Sequence, residues 1–400
     1  MRILFLGEAT SPYTRLWAEH CAVAFGHEVH LASLQRPASA PAGVTLHGLG
    51  PRLGRLGYLA AVPAARALAK RLRPDLVAAY RVTSYGVLAA AAGLHPLAVA
   101  AQGMTIAFPP TSRLKRALAR HALARADLVT SWGAHMTRNM IGLGCDPAKI
   151  RTIAYGIDTE RFSIDDDRSR PGESGPSRPS HGERRPSLRS GPPGSGPPGE
   201  GLRAPRLLST RALRADYNLE PILRALPAVA GRFPEVIWTA VGEGPEKARL
   251  AALARALGVA KHVEFPGRVP LARLVELLRA ADVYVSTVPT DGVSASLLEA
   301  MACGAWPVVT DNEANRLWIR PGRTGDLVPA HDAEAIGRAI AAALGDPARA
   351  ARARQENRRL VCERASMREN MAVIDGMLRA LVGGGIGAVP PVPAHLVVPP

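Results

Sequence analysis

Through the first 164 residues, short apolar runs alternate with longer stretches whose apolar positions recur every three or four residues. The runs are RILFLG (2–7), EVHLASL (28–34), DLVAAY (75–80), LAVAAQG (97–103) and DLVTSW (127–132). The helical stretches are TRLWAEHCAVAFG (14–26), YLAAVPAARALAKRLR (58–73) and RLKRALARHALARA (113–126). A strand covered on both faces reads as a continuous apolar run, as in a parallel sheet flanked by helices. Helices of this length between consecutive strands predict right-handed βαβ units, so 1–164 is expected to be a Rossmann-like, doubly wound α/β domain.

From 165 to 204 the periodicity vanishes into Pro, Gly, Ser and Arg. Such a stretch buries too little apolar surface to offset its ordering entropy, and a disordered linker insertion is predicted. The alternation then resumes. RLLST (206–210), VIWTAVG (236–242), HVEFPG (262–267), DVYVSTV (282–288) and WPVVT (306–310) read as strands. LEPILRALPAVAGRF (219–233), PEKARLAALARALG (245–258), LARLVELLRAA (271–281) and a stretch near 296–303 read as helices. A second Rossmann-like domain is therefore expected over 205–364, followed by an amphipathic C-terminal helix over 365–382 and a disordered tail over 383–400. Open parallel sheets bind ligands beyond the carboxyl ends of their strands, so two such domains facing each other predict one shared cleft.

Composition narrows the class. The chain has 400 residues, 47% hydrophobic and 21% charged, as two globular α/β domains require. Its four cysteines, Cys21, Cys145, Cys303 and Cys362, show no CxxC spacing and read as buried thiols of a reducing compartment. No zinc site is implied, and no metal is expected. The longest apolar run (86–101) is broken by His95 and Pro96 and falls short of the roughly 20 residues a membrane span needs. The N-terminal apolar run is too short for a signal peptide core. The net charge of +16 is uneven: residues 1–164 carry 19 basic and 8 acidic side chains, +11 of the total. Such a face attracts phosphates, anionic lipid or nucleic acid, and is equally what a solvated Arg-rich surface gives.

The chemistry concentrates in DGVSASLLEAMACGAWPVVT (291–310). Asp291 follows a predicted strand, a turn through Gly292, Val293, Ser294 and Ala295 comes next, and a helix bearing Glu299 is expected to begin near Ser296. A helix N-terminus favours a phosphate, and two carboxylates so placed can accept bonds from two hydroxyl-bearing parts of one ligand. The same residues have a purely structural reading, since Ser296-Leu-Leu-Glu299 spells a capping box and Gly304 a helix stop.

This segment resembles the signature of the family 4 retaining glycosyltransferases of GT-B fold, with Asp291 where the family usually has Glu. The likeness extends to VGEGPEKARLAALARALG (241–258), HVEFPGRVP (262–270), ANRLWI (314–319), GRTGDLVPAHD (322–332) and IRTIAYGID (150–158). The resemblance implies that the second domain binds a nucleoside diphosphate sugar. Glu299 would bond the ribose hydroxyls and Asp291 the hydroxyls of the transferred sugar. Amides of Gly292, Val293 and Ser294 would support the sugar, and those near Ser296 and Leu297 the diphosphate. Gly242 and Gly244 fall in the family's Gly-x-Gly-Pro loop, while Arg268 and Val269 follow the strand whose backbone contacts the base. Arg211 matches the phosphate-binding Arg; the companion Lys is replaced by Asp216, with Arg214 the nearest basic substitute. Guanidinium groups there would neutralise the leaving diphosphate, so Asp291, Arg211 and Arg214 are expected at the reacting centre.

The first domain departs further from the family. Its usual sugar-contacting His is Gln102, with Thr105 close behind; Gln can hydrogen-bond but not act as a base. Gly7 opens a cleft-facing loop (7–15) that lacks G-x-G-x-x-G, which weighs against a dinucleotide enzyme. His135 reads more readily as a surface helix residue than as a cleft group. The implied activity is retaining transfer from a nucleotide-sugar donor, with no cofactor, to a glycan or lipid-linked acceptor that the sequence leaves open. It implies a cytoplasmic enzyme, and the basic first domain fits peripheral docking on the inner face of a membrane. Gln102, Thr105, Asp216 and the insertion leave open a non-catalytic GT-B binding protein, and a sugar-nucleotide epimerase shares the architecture. Nucleic acid is not an expected partner, since no recognition helix, zinc module or stacking platform is present.

Overall fold

In the computed structural model, residues 1–35, 39–50, 57–101, 112–164 and 204–397 are described. The first domain runs β1 (Arg2–Leu6), α1 (Pro12–Val23), β2 (Glu28–Ser33), β3 (Val44–Gly48), α2 (Gly57–Ala60), α3 (Val62–Leu72), β4 (Leu76–Tyr80), α4 (Val87–Ala91), β5 (Leu97–Ala101), α5 (Arg113–Arg125), β6 (Leu128–Ser131), α6 (Ala134–Gly142) and β7 (Ile150–Thr152). Its strands form one parallel sheet in the order β3-β2-β1-β4-β5-β6-β7. The second domain runs β8 (Arg206–Ser209), α7 (Glu220–Arg232), β9 (Ile237–Val241), α8 (Lys247–Ala256), β10 (Val263–Gly267), α9 (Leu271–Ala280), β11 (Val283–Ser286), α10 (Ala295–Ala302), β12 (Trp306–Thr310), α11 (Glu313–Arg316), β13 (Asp326–Val328), α12 (Ala333–Gly345), α13 (Pro347–Ala365) and α14 (Met367–Gly384). Its parallel sheet has the order β10-β9-β8-β11-β12-β13.

Both sheets reverse direction of winding at their middle, at β1/β4 in the first and β8/β11 in the second. At such a switch point adjacent connecting loops part in opposite directions and leave a crevice. The apolar alternation explains the layers. Leu4 and Leu6 pack on one face of the first sheet, Ile3 and Phe5 on the other. In the second domain Leu207, Trp238 and Trp306 fill one face, while Leu208, Tyr284 and Leu298 fill the other.

Several details differ from the sequence reading. β3 was not anticipated, because polar Thr45 and His47 interrupt its run on a half-exposed edge strand. The helix expected over 58–73 is two pieces that meet at Ala61, with Pro63 in the first turn of the second. Proline lacks the N–H that would continue a helix from the preceding turn, but suits a helix start. The tail was expected to be disordered from 383, yet Val389 and Leu396 are 5% and 1% exposed and join the core of the first domain. Apolar Ile386, Val389, Val392 and Leu396 are spaced between prolines and glycines, so no periodic signal betrays them.

The chain crosses back at its end. Ile157 N donates to Ala365 O at 2.8 Å and Met367 N to Ile157 O at 2.9 Å. Gly156, at φ +86°, permits this approach, since a Cβ there would stand 2.5 Å from Ala365 O. Beyond the crossing, Met371, Ile374, Met377 and Leu378 of α14 bury against Phe5, Trp17 and Cys21 of the first domain. Buried His27 pairs with Asp375 there, and Arg379 Nε donates to the other carboxylate oxygen at 2.7 Å. Among the described residues, no helix is long and apolar enough to cross a membrane.

Candidate active site

The site begins where β8 and β11, neighbours in the second sheet, release their chains. Ser209, at the end of β8, donates its hydroxyl to Val285 O at 2.7 Å and accepts from Trp238 Nε1 at 3.0 Å. This buried polar clasp fixes the exit direction of the 210–218 loop. The loop then folds against two glycines. A Cβ on Gly242, at φ +147°, would lie 2.4 Å from Arg211 O, and one on Gly244 would lie 2.1 Å from Leu213 O. Asn218, at φ +53°, closes the loop by donating from Nδ2 to Thr287 O at 2.9 Å and Ala330 O at 2.8 Å. Gly242 and Gly244 thus let the backbones come together; their structural role is to seat Arg211.

Arg211 points across the strand ends. Its Nη2 donates to Asp291 Oδ2, and its Cζ stands 5.2 Å from the Tyr217 ring centroid. The other carboxylate oxygen of Asp291 accepts from Gly292 N at 2.8 Å, which fixes the turn. α10 starts one residue earlier than expected. Ser294, not Ser296, is its cap, accepting from Leu297 N at 3.3 Å. The Ser296–Glu299 capping box is therefore not formed; Ser296 Oγ instead reaches Thr210 O at 3.5 Å.

That shift releases Glu299 from any capping duty. Among the described residues its carboxylate has no hydrogen-bond partner, and burial pushes it up to about 7, against the pull of the nearby Arg211 cation. Glu299 is half-buried, and an unpartnered carboxylate lining a strand-end crevice marks a place for a ligand. Below it Tyr284 is fully enclosed.

The first domain closes the other side. Tyr13, on the predicted cleft-facing loop, is 39% exposed and packs edge-on to Trp132 with centroids 6.4 Å apart. Its phenol is raised, first by crowding from the walls of the gap and then by the Glu299 charge, with Arg211 opposing. Sequence reasoning missed Tyr13, which the structure places in the first turn of α1 rather than in the predicted loop, because a single Tyr there carries no periodic signal. Gly7 lies beneath this loop, where a Cβ would meet Thr14 Cγ2 at 2.6 Å and Tyr80 Cβ at 3.4 Å. The Met136 sulfur would lie 3.9 Å from a Cβ on Gly292, so α6 and the 291–294 turn face each other.

Asp291, Arg211, Glu299 and the Gly292–Ser294 turn are thus brought together. Val293 and Leu297 are buried beneath the turn. Arg214 is not part of the group: its exposed guanidinium folds back on Asp216 at 3.0 Å. Two residues apart on an open turn, that pair is the nearest electrostatic option for each. Arg268 is exposed beyond β10, and Val269 packs its side chain on the core below. His135 was expected on the surface but is 6% exposed, its ring turned back over Gly133. Gln102 and Thr105 lie outside the described residues.

Residues 198–360 match the family model described as "Glycosyl transferases group 1", and residues 2–132 the model "Glycosyl transferase 4-like". A GDP-mannose-dependent alpha-(1-6)-phosphatidylinositol monomannoside mannosyltransferase of Mycolicibacterium smegmatis is 31% identical over 248 residues, 58% of each chain. A D-inositol 3-phosphate glycosyltransferase of Catenulispora acidiphila is 30% identical over 52% of this chain and 45% of its own. The chain thus spans about half the length of these curated relatives. Anabaena HepE with bound UDP superposes with a TM-score of 0.75 at 17% identity, over 95% of this chain and 100% of that one. Sucrose-phosphate synthase of Thermosynechococcus elongatus does so with 0.73 at 18%, over 96% and 99%. The fold is the GT-B arrangement of two facing Rossmann-like domains.

Proposed function

The chain belongs to the family 4 glycosyltransferases of group 1 type, and on that premise we propose that it moves a sugar, with retention, from a nucleoside diphosphate sugar to a phosphate-bearing polyol or its lipid-linked form. The observation that carries this reading is the unpartnered Glu299 carboxylate beside the Arg211–Asp291 pair, at the switch point of the second sheet. The donor type is supported by the GDP-mannose and UDP in the names of similar proteins, and the acceptor class by phosphatidylinositol and inositol phosphate in theirs.

In this reading Glu299 accepts from two ribose hydroxyls, which supply the partners its carboxylate lacks. The diphosphate approaches Arg211, which then exchanges part of its bond to Asp291 for phosphate oxygens. Asp291, freed from part of that pair, accepts from hydroxyls of the transferred sugar. As the glycosidic bond breaks, negative charge grows on the phosphate, and the fixed guanidinium is already aimed at it. The same phosphate can take the acceptor proton on the face the sugar leaves, so no strong protein nucleophile is required. The cleft contributes orientation and water exclusion.

The exposed basic helix α5, with Arg113, Lys115, Arg120 and Arg125 and with Leu114 68% exposed, favours peripheral contact with an anionic membrane for a lipid-linked acceptor. One observation favours a second reading: Arg214 is tied to Asp216, leaving Arg211 the cation at the strand end, as a binding protein without turnover would tolerate. Incubating the protein with GDP-mannose and UDP-glucose separates the two. Sugar release or transfer with retained anomeric configuration supports the enzyme; tight binding with no turnover supports the alternative.

A further inference from the structure

The first domain holds a second orphaned group. His135 is 6% exposed, and neither ring nitrogen has a hydrogen-bond partner among the described residues. It sits in the first turn of α6, a nine-residue helix whose cap, Gly133, offers no side chain to the free amides. Thr137 N reaches Gly133 O at 3.1 Å, but among the described residues the amides of Ala134, His135 and Met136 find no acceptor. The ring lies over that amide end, with Nδ1 and Cε1 each 3.1 Å from where a Gly133 Cβ would be. Opposite stand Leu317 and, next to Met136, the Gly292 turn. Free amides, a helix dipole and a buried ring with unused nitrogens share one chemical complement, an anionic oxygen cluster.

We propose that the N-terminal turn of α6 with His135 is an anion subsite for the phosphate of the acceptor, opposite the sugar-binding turn at 291–294. The placement rests on the transferase reading only for the word acceptor; the anion site stands on its own geometry. The charges facing it are Arg138 and Glu313, paired across the domains at 2.8 Å, so their effects on the ring oppose each other. His135 itself is held below its ordinary value, first by burial and least by Arg138, while Glu313 pulls it back up. An arriving phosphate favours the doubly protonated ring, which then donates from one nitrogen to the phosphate. Phosphate esters could reach it as soluble molecules or as lipid headgroups; the chemistry recognised is the same.

The full chain, labelled at its histidine rings, would be titrated with inorganic phosphate, glycerol 3-phosphate and phosphatidylglycerol vesicles, while the His135 nitrogen resonances are followed. The expected result is a saturable shift of His135 with the soluble esters, lost in Ala134→Glu, whose carboxylate favours the helix but repels the anion. His135→Ala should weaken phosphate binding by about tenfold or more, the loss of a charge-assisted bond. A response to vesicles alone would assign the site to a lipid headgroup. Unchanged His135 resonances with all three, or full phosphate affinity in folded Ala134→Glu, would overturn the inference. Donor affinity measured in the same samples reports separately on the transferase reading, which fails if no nucleotide sugar binds while phosphate still shifts His135.

Discussion

Arg211 and Asp291 lie eighty positions apart, yet the guanidinium of one grips the carboxylate of the other across the two central strand ends of the second sheet. The pair is half-enclosed, at 12% and 18% side-chain exposure, and the Tyr217 ring backs the cation. Under the proposed transfer reaction, Asp291 occupies the place on Arg211 that a donor phosphate would share. Replacing Arg211 with Lys keeps a charge but loses the fork and the ring stacking. Steady-state kinetics should show kcat falling by about 10²-fold with a smaller change in donor affinity, because the cation acts on charge that develops in the transition state. A variant that loses affinity and keeps kcat would assign Arg211 to ground-state binding alone.

Glu299 makes stability depend on pH with a definite sign. Its carboxyl is raised from 4.5 to about 7, so between those values the folded protein holds a proton that the unfolded chain has released. Stability from this group is greatest near the lower end and is lost as pH rises through 7. Glu299→Gln removes the penalty. The variant should gain on the order of 1–3 kcal/mol over wild type at pH 8 and little at pH 5, by urea unfolding at each pH. Equal differences at both pH values would show that the carboxyl titrates normally. Donor binding carries the opposite trend in wild type: the ionised form is the better acceptor, so affinity should weaken as pH falls below 7.

Ser294 caps α10 and holds the turn that carries Asp291 and Gly292. Ser294→Ala removes the side-chain cap and leaves Leu297 N only its backbone bond to Ser294 O at 3.1 Å, which should cost about 1 kcal/mol. For a domain of this size that lowers the melting temperature by roughly 2–4 °C, readable by calorimetry. Ser296→Ala, removing a residue that does not cap, should move it by far less.

Gly244 approaches Leu213 O too closely for any Cβ. Gly244→Ala must push back the loop bearing Arg211, so activity should fall several-fold beyond what any stability loss explains. Circular dichroism should show the fold retained. A fully active Gly244→Ala protein would mean that the loop is not seated through this contact.

Much of this was legible in the chain before folding, and the exceptions have physical causes. Fully buried strands such as Leu4–Leu6 and Val283–Val285 announce themselves as apolar runs, which sufficed for both domains. The turn at 291–294 and Glu299 were legible because strand, acid, glycine and helix follow each other within one short segment. Cap identity was not, since Ser294 and Ser296 are equally good caps in sequence, and only the strand exit selects one. His135 was misplaced because its ring folds back over Gly133, where Leu317 of the other domain also closes in, a long-range approach with no local trace. The pairing of Arg214 with Asp216 on an exposed turn was not legible, since only the fold shows which of two neighbouring arginines turns to the strand ends. The folded tail was hidden because its apolar residues meet a groove made by β7 and α14 rather than each other.

The anchoring of α14 is another such long-range contact. His27 and Asp375 pair in the core of the first domain, and Asp375→Ala would strand the imidazole there. Breaking a buried pair should cost about 3–5 kcal/mol. Limited proteolysis should then cut near Ser366, where α13 passes to α14, while wild type resists; equal resistance would show that apolar packing alone holds the helix.

The most direct test titrates GDP-mannose and UDP-glucose calorimetrically into the wild-type chain and into Glu299→Ala. One of the two should bind wild type saturably at one site, and the substitution should weaken it by about 10–100-fold, the loss of charged hydrogen bonds to two hydroxyls. Donor affinity unchanged in a folded Glu299→Ala protein would contradict the placement of the nucleotide sugar at this carboxylate.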